Sequence, residues 1–557
     1  MPVLTAIDVL GVQRFIFSSN RLRDMVAGSY LVHRSTTREG ALEDLVPREK
    51  ILLAGGGNAL VEFDSAEKAR EFAARYTRRL YDNAYGLEAA IAHRSFEHGG
   101  LAQALLNIQI ELARNKSERV PAAPLLGLSV TASCRETGLP ATGFDPKEPT
   151  IPLSRQMSKD GRGGSQTFGQ KEPPVPLSRD VLNRRGVKEE ANAHWSKYLI
   201  NMDGFDFPME MDHLGRTGGD ISQIGVVHVD GNGVGKKIAS WLSRRIEDQA
   251  DDDTVRREYQ EWSRDIDELG KDAFQAVTDR VWQAIKKEIK KGIDKAAVKG
   301  KQTDLSTDLS FDLKRLEGKW MLPLRPILLG GDDLTFVCDG RIALDLAETA
   351  LGVFKNSDIA HLGKITACAG VAITRVHAPF ARAYKLAEKL CRSAKVMLKE
   401  NGIDDCALDW HIGLSRPEET VTSIRERQYQ RNTNQLTCRP YRLSSENDDE
   451  LSWRWLSKTL LDDPEVGLRG KKWSTRRNKV KAFAELVREG PDGVKAALKA
   501  WNVTAKEWNV AAKELCLPEP IAENGFHEKH TPLLDALELL DLHLVLESDG
   551  QVGEEKP

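Results

Sequence analysis

RPILLGGDDLTFVCD, residues 325–339, decides the fold. Two apolar, β-type runs flank the polar tetrad Gly330-Gly331-Asp332-Asp333, a pattern that predicts an antiparallel hairpin carrying acids at its tip. Successive strand residues face opposite sides, so both acids serve one site only if they sit in the turn, and the two glycines permit such a turn. Upstream, QIGVVHVDGNGVGKKI (223–238) is an apolar run that ends at Asp230 and passes straight into a glycine loop. Downstream come a helix over about 341–355, a strand over ITACAGVAIT (365–374), a helix over about 379–400 and a strand over CALDWHIG (406–413). The order is β, α, ββ hairpin, α, β, α, β, an α+β domain.

The first 130 residues repeat this plan. IDVLGV (7–12) lies over VDGNGV (229–234), setting Asp8 over Asp230 and Gly11 over Gly233. ILLAGGGNALVEF (51–63) lies over PILLGGDDLTFVC, setting Asn58 and Ala59 over Asp332 and Asp333. The expected fold class is therefore α+β, with two ferredoxin-like palm domains, the first degenerate and the second carrying the GGDD hairpin, plus a helical C-terminal domain. The expected boundaries are 1–142 for the first palm, 143–219 for a Pro/Gly-rich linker and connecting helix, 220–439 for the second palm, and 440–557 for the helical domain. Residues 239–320 read as a charged helical insertion in the second palm, and 145–180 are too polar to bury a core of their own.

At 557 residues the chain exceeds one ordinary core. No apolar run approaches the roughly 20 residues of a membrane span, and the N-terminus reads as a strand rather than a signal peptide, so a cytoplasmic protein is expected. Seven scattered cysteines without a C-x-x-C pair argue against a disulfide framework or zinc knuckle. A net charge of -3 excludes a globally basic nucleic-acid coat.

Joining nucleotides requires a hydroxyl to attack an α-phosphate as pyrophosphate leaves, chemistry that two divalent ions about 3.5–4 Å apart support. Such ions take oxygen ligands, and carboxylates at one strand end and at the neighbouring hairpin tip supply them. Asp230, Asp332 and Asp333 are the candidate catalytic and metal-binding residues, with two Mg²⁺ or Mn²⁺ ions as the expected cofactors. Gly231, Asn232 and Gly233, ahead of a helix, together with Gly330, Gly331 and Lys395, are the candidate nucleotide-binding residues. GNGVGK is neither a Walker A loop, since Lys237 stands where Ser or Thr belongs, nor a Rossmann fingerprint. The histidines form no H-x-x-x-H pair, which disfavours a His-based metallohydrolase. LRGKKWSTRRNKVK (468–481) reads either as a phosphate-tracking surface with Trp473 as a stacking ring or as a solvated helix face.

GVQRFIF and RDMVAGS near the start, the GGDD hairpin, and AGVAIT followed by a helix ending in AK resemble the large polymerase-like subunit of type III CRISPR effector complexes. The resemblance covers about 1–135 and 220–415. It implies that Asp230, Asp332 and Asp333 convert ATP into cyclic oligoadenylate messengers in antiviral defence, with guide or target RNA and other effector subunits as partners. Members of that family often open with a His-Asp nuclease domain and carry a zinc ribbon between the palms. This chain has no His-Asp dipeptide and only Cys134 in the ribbon's place, so neither DNA cleavage nor a zinc site is expected, and a shortened or stand-alone relative is implied. The alternatives are another cyclic dinucleotide cyclase, which the missing R-x-x-D motif disfavours, and a non-catalytic palm scaffold that binds RNA or partner subunits.

Overall fold

The computed structural model describes residues 1–120, 127, 129–144, 175–214, 223–290, 293–300, 310–416, 418–443, 451–507 and 515–547. Most of the polar stretch 145–180, the second of the tandem heptads (508–514) and the C-terminal tail fall outside them. The chain divides into two compact units, Met1–His194 and Trp195–Pro557.

In the first unit, β1 (Val3–Leu10) is followed by α1 (Val12–Ile16), α2 (Leu22–Thr36), β2 (Ile51–Gly55), β3 (Asn58–Phe63), α3 (Ala66–Asn83), β4 (Glu88–Ser95) and α4 (Leu101–Glu118). A short pair, β5 (Gly143–Phe144) and β6 (Pro176–Leu177), precedes α5 (Arg179–Gly186) and α6 (Lys188–Ser196). The main sheet has the order β2-β3-β1-β4, all antiparallel. Helices α3 and α4 cover it with Phe72, Tyr76, Leu105 and Ile108, spaced three or four apart as an apolar helix face requires. Leu177 and Val181 are fully buried, so the described end of the 145–180 stretch packs into this unit through an apolar face that its composition obscured.

The second unit opens with β7 (Phe205–Asp206) and β8 (Gln223–Gly231), then α7 (Val234–Glu247) and α8 (Asp252–Gln283). There the helical reading of 239–320 ends. The strands β9 (Ile285–Lys290) and β10 (Ile293–Lys299) pair antiparallel and are joined by β11 (Ser310–Asp312), while β12 (Arg315–Leu316) pairs with β13 (Lys319–Met321) and β13 with β7. Dense lysine suggested a solvated helix, but Ala296 and Val298 are buried between Lys295 and Lys299, the period-two pattern of a half-buried strand. The hairpin β14 (Leu324–Gly330) and β15 (Asp333–Asp339) follows, then α9 (Ala343–Lys355), β16 (Ala367–Arg375), α10 (Phe380–Glu400), β17 (Ala407–Ile412), α11 (Val421–Tyr429), a small hairpin β18 (Gln430–Arg431) and β19 (Asn434–Gln435), and β20 (Tyr441–Arg442). The main sheet has the order β14-β15-β8-β16-β17-β20. The β16–β17 pair is parallel and the other neighbours antiparallel.

The sheet thus extends past residue 439, the expected end of the palm, because Tyr441–Arg442 pair with β17. Beyond it lie α12 (Arg477–Glu489), α13 (Pro491–Glu507) and α14 (Leu533–Leu540). Asp535 of α14, fully buried, accepts from Thr437, the Cys438 amide and Tyr441 and pairs with Arg439, tying this helix to the sheet's last strand. Trp473 is also fully buried, against Phe483 and Trp501, and Arg469 donates to the carbonyls of Leu539, Leu540 and His543. The stretch 468–481 therefore builds a core, and Trp473 is no stacking platform.

His543 is sealed against Trp453, with no hydrogen bond to either ring nitrogen among the described residues. Burial first, and Arg469 second, push its pKa down to about 3. The unfolded chain takes up this proton near pH 6.5 and the folded chain does not, so the group removes stability as pH falls from about 6.5 towards 3, by up to about 1.4 kcal/mol per unit. His543→Phe should therefore raise the melting temperature, with a gain over wild type that widens between pH 6.5 and 5. A gain that does not vary with pH would contradict this.

The two units share their geometry. Gly11 and Gly233 both take left-handed backbone, at φ 64° and 67°, at the starts of α1 and α7. Gly55 pairs with Asn58 as Gly330 pairs with Asp333, and each hairpin carries one register shift, between Ile51 and Leu53 and between Pro326 and Leu328. These landmarks correct the sequence superposition by one residue: Gly57 stands at the position of Asp332 and Asn58 at that of Asp333. Letters alone could not decide this, because three consecutive glycines allow either register.

Candidate active site

Asp230 lies at the end of β8, where the sheet pairs it with Asp333 on one side and Cys368 on the other. Two residues earlier, His228 pairs with Thr335. Period-two alternation places His228, Asp230, Thr335 and Asp333 on one face, the face that α10 covers. The helix presents Tyr384, whose ring meets that of His228 at 5.6 Å, and Lys395. Lys395 Nζ donates to Asp230 Oδ2 at 2.7 Å and to the Gly231 carbonyl at 2.6 Å.

The turn between β14 and β15 consists of Gly331, at φ 65°, and Asp332. A side chain at Gly331 would be strained in that left-handed conformation. Gly231 donates its amide to the Asp332 carbonyl at 3.2 Å, and a Cβ at 231 would stand 2.6 Å from Asp332 Oδ2, so this glycine leaves room for the acid. Helix α8 crosses the turn at Gly270, where a Cβ would stand 2.1 Å from the Gly331 carbonyl oxygen.

The electrostatics follow from this crowding. Burial, and then the Asp230 carboxylate, hold Asp332 above the ordinary carboxylate range. Asp333 is pushed well above it by burial, with Asp230 and Asp332 adding to the effect. Its side chain keeps 36% of its surface, yet Oδ1 is sealed, 3.3 Å from His228 Nδ1 and without a well-formed hydrogen bond among the described residues. Burial lowers the pKa of His228, so the ring is neutral, with its Nδ1 3.1 Å from the Thr335 hydroxyl. Three converging acids, two of them poorly satisfied as anions, are a donor set that a divalent cation fits.

The sequence candidates Asp230, Gly231, Gly330, Gly331, Asp332, Asp333 and Lys395 thus converge. Gly233, in left-handed backbone, heads α7, and its carbonyl accepts from the amides of Lys236 and Lys237. Asn232 does not present itself to a ligand. Its amide and side-chain nitrogen bond to Thr366, and the side chain reaches the Asp405 carbonyl, so it anchors the strand end. Sequence reasoning missed His228, which the period-two rule links to Asp230, and Gly270, which no local pattern marks.

In the first unit the same geometry is spent on an ion pair: Asp8, in register with Asn58, binds Lys116 of α4 much as Asp230 binds Lys395 of α10.

No family model matches the sequence, and no curated protein does. Among solved structures, Csm1 in T. onnurineus superposes with a TM-score of 0.50 at 15% identity, over 97% of this chain and 70% of that one. The chain has the fold of Csm1. A Csm1–Csm4 cassette in complex with one ATP gives a TM-score of 0.49 at 15% identity, and one in complex with cA4 gives 0.48 at 15%, each over 97% of this chain and 70% of its own. At such identity the likeness to Csm1 carries the fold, and the chemistry rests on this chain's own residues. None of the described helices is long and apolar enough to cross a membrane.

Proposed function

We propose that the chain is a nucleotidyltransferase that joins ATP into oligoadenylates, cyclic ones among them, in a CRISPR-type antiviral complex, with both units palms and the second one catalytic. The observation that carries this reading is the register pair Asp230–Asp333 with Asp332 in the adjoining turn and Lys395 bonded to Asp230. Divalent ions, Mg²⁺ or Mn²⁺, held by the three aspartates would neutralise charge on the reacting phosphates and lower the pKa of the attacking hydroxyl. The chain's own residues do the positioning. The turn holds Asp332 over Gly231, β8 and β15 fix Asp230 and Asp333 side by side, and the amides at the head of α7 offer a phosphate cradle. Lys395 neutralises Asp230 in the resting site, and an incoming triphosphate competes for its ammonium.

Lys395→Met removes that charge without shortening the stem. Loss of a charge-assisted hydrogen bond of about 1.5–3 kcal/mol should raise the KM for ATP roughly 10- to 150-fold. An unchanged KM would remove Lys395 from the nucleotide site. The reading as a whole is tested by incubating the full chain with each nucleoside triphosphate and Mg²⁺ or Mn²⁺, with and without RNA, and identifying products by mass. Oligoadenylate formation supports it, and no product under any condition favours a non-catalytic scaffold that binds RNA or partner subunits.

A further inference from the structure

One side of the same cleft is chemically unlike the rest. A ring nitrogen of His228, a carboxylate oxygen of Asp230 and Sγ of Cys391 lie within 4.8 Å of one another. Cys391 sits one helical turn before Lys395 on α10, and its thiol donates to the carbonyl of Cys368, the residue paired with Asp230 across the sheet, at 3.2 Å. Oxygen donors alone suit Mg²⁺ or Mn²⁺, whereas sulfur with imidazole selects borderline and soft cations.

We infer that His228, Asp230 and Cys391 form a binding site for a thiophilic divalent cation such as Zn²⁺, sharing Asp230 with the oxygen-lined site and excluding the ions that occupy it. Three protein donors and an open fourth position make a familiar zinc set, with Zn–S about 2.3 Å and Zn–N or Zn–O about 2.0–2.2 Å. Donors around such a tetrahedral ion stand about 3.3–3.8 Å apart, so side-chain shifts of about 1 Å close the site. His228 is held from its Nδ1 side by Thr335 and Asp333. On binding, the Cys391 S–H bond breaks, a sulfur–metal bond forms and the proton leaves to water. Asp230 offers the cation whichever oxygen Lys395 does not hold. The binding half of this inference stands on the donor geometry. The inhibitory half rests on the nucleotidyltransferase reading.

The test uses the full chain without nucleotide. Co²⁺ should give a thiolate-to-metal charge-transfer band that one equivalent of Zn²⁺ abolishes. Cys391→Ser should remove the band and weaken Zn²⁺ binding at least ~10-fold in a competition with a chromophoric chelator, while Cys438→Ser keeps both. If Cys391→Ser does not fold, Cys391→Ala is read in the same way, and His228→Gln should weaken Zn²⁺ binding without necessarily removing the band. No band in the wild type, or a band and an affinity that survive Cys391→Ser, overturns the site. In the polymerisation assay, micromolar Zn²⁺ should suppress wild-type product at fixed Mg²⁺ and spare Cys391→Ser. Equal suppression of both overturns the inhibitory half. A chain that shows the band and joins no nucleotides upholds the site and defeats the enzymatic reading alone.

Discussion

Replacing Asp332 and Asp333 together by Ala should lower oligoadenylate formation by at least ~10²-fold and leave the protein as stable as wild type, or more stable, in chelator. Both carboxyls are held above their ordinary pKa, by burial first and by neighbouring carboxylates after it, so ionising them in the folded state opposes folding. The sign follows from linkage. A carboxyl with a raised folded pKa detracts from stability once pH exceeds its unfolded pKa, so removing it restores stability at neutral pH. Divalent ions reverse the balance in the wild type, since a ligand that binds only the folded state stabilises it. Mg²⁺ should therefore raise the wild-type melting temperature and leave that of the double variant unchanged. Asn58→Asp should not rescue activity, because the first unit still has Gly57 where the second has Asp332. A double variant as active as wild type would end the case for this site.

The second large effect concerns a residue that contacts no nucleotide in this scheme. In an ordinary helix interior, Gly→Ala gains about 0.5–1 kcal/mol. At Gly270 the added carbon would meet the Gly331 carbonyl oxygen at 2.1 Å, backbone that cannot swing aside as a side chain would. Overpacking of this kind costs about 1–3 kcal/mol and outweighs the helical gain. Gly270→Ala should therefore lower stability, and by displacing the acid turn through about 1 Å it should cost ~10²-fold in turnover. Gly352 of α9 is the control, since among the described residues a Cβ there would meet nothing within 4 Å beyond its own stretch of helix. Gly352→Ala should gain stability and leave turnover unchanged. If the two substitutions behave alike in calorimetry and in activity, α8 does not hold the turn in place.

Legibility followed the range of the interactions involved. The hairpin at 324–339, the strand ending at Asp230 and the amphipathic helix α10 were readable because turn chemistry and the 2.0 and 3.6 periods act over a few residues. The β9–β10 pair was misread because lysine-rich strands and solvated helices share a composition, and only burial of Ala296 and Val298 separates them. Trp473 with its basic neighbours resembled a nucleic-acid surface until Phe483 and Trp501 closed over the ring.

By itself the sequence determined the α+β class, the internal duplication and the three aspartates together with Lys395, since each rests on residue types at short spacing. Tertiary structure alone decided the pairing of Asp230 with Asp333, the one-residue correction between the two hairpins, the crossing of α8 at Gly270 and the meeting of His228 with Cys391. Those facts depend on strand register and on the approach of helices to the sheet. Both are fixed by the packing of side chains far apart along the chain, which no local pattern encodes.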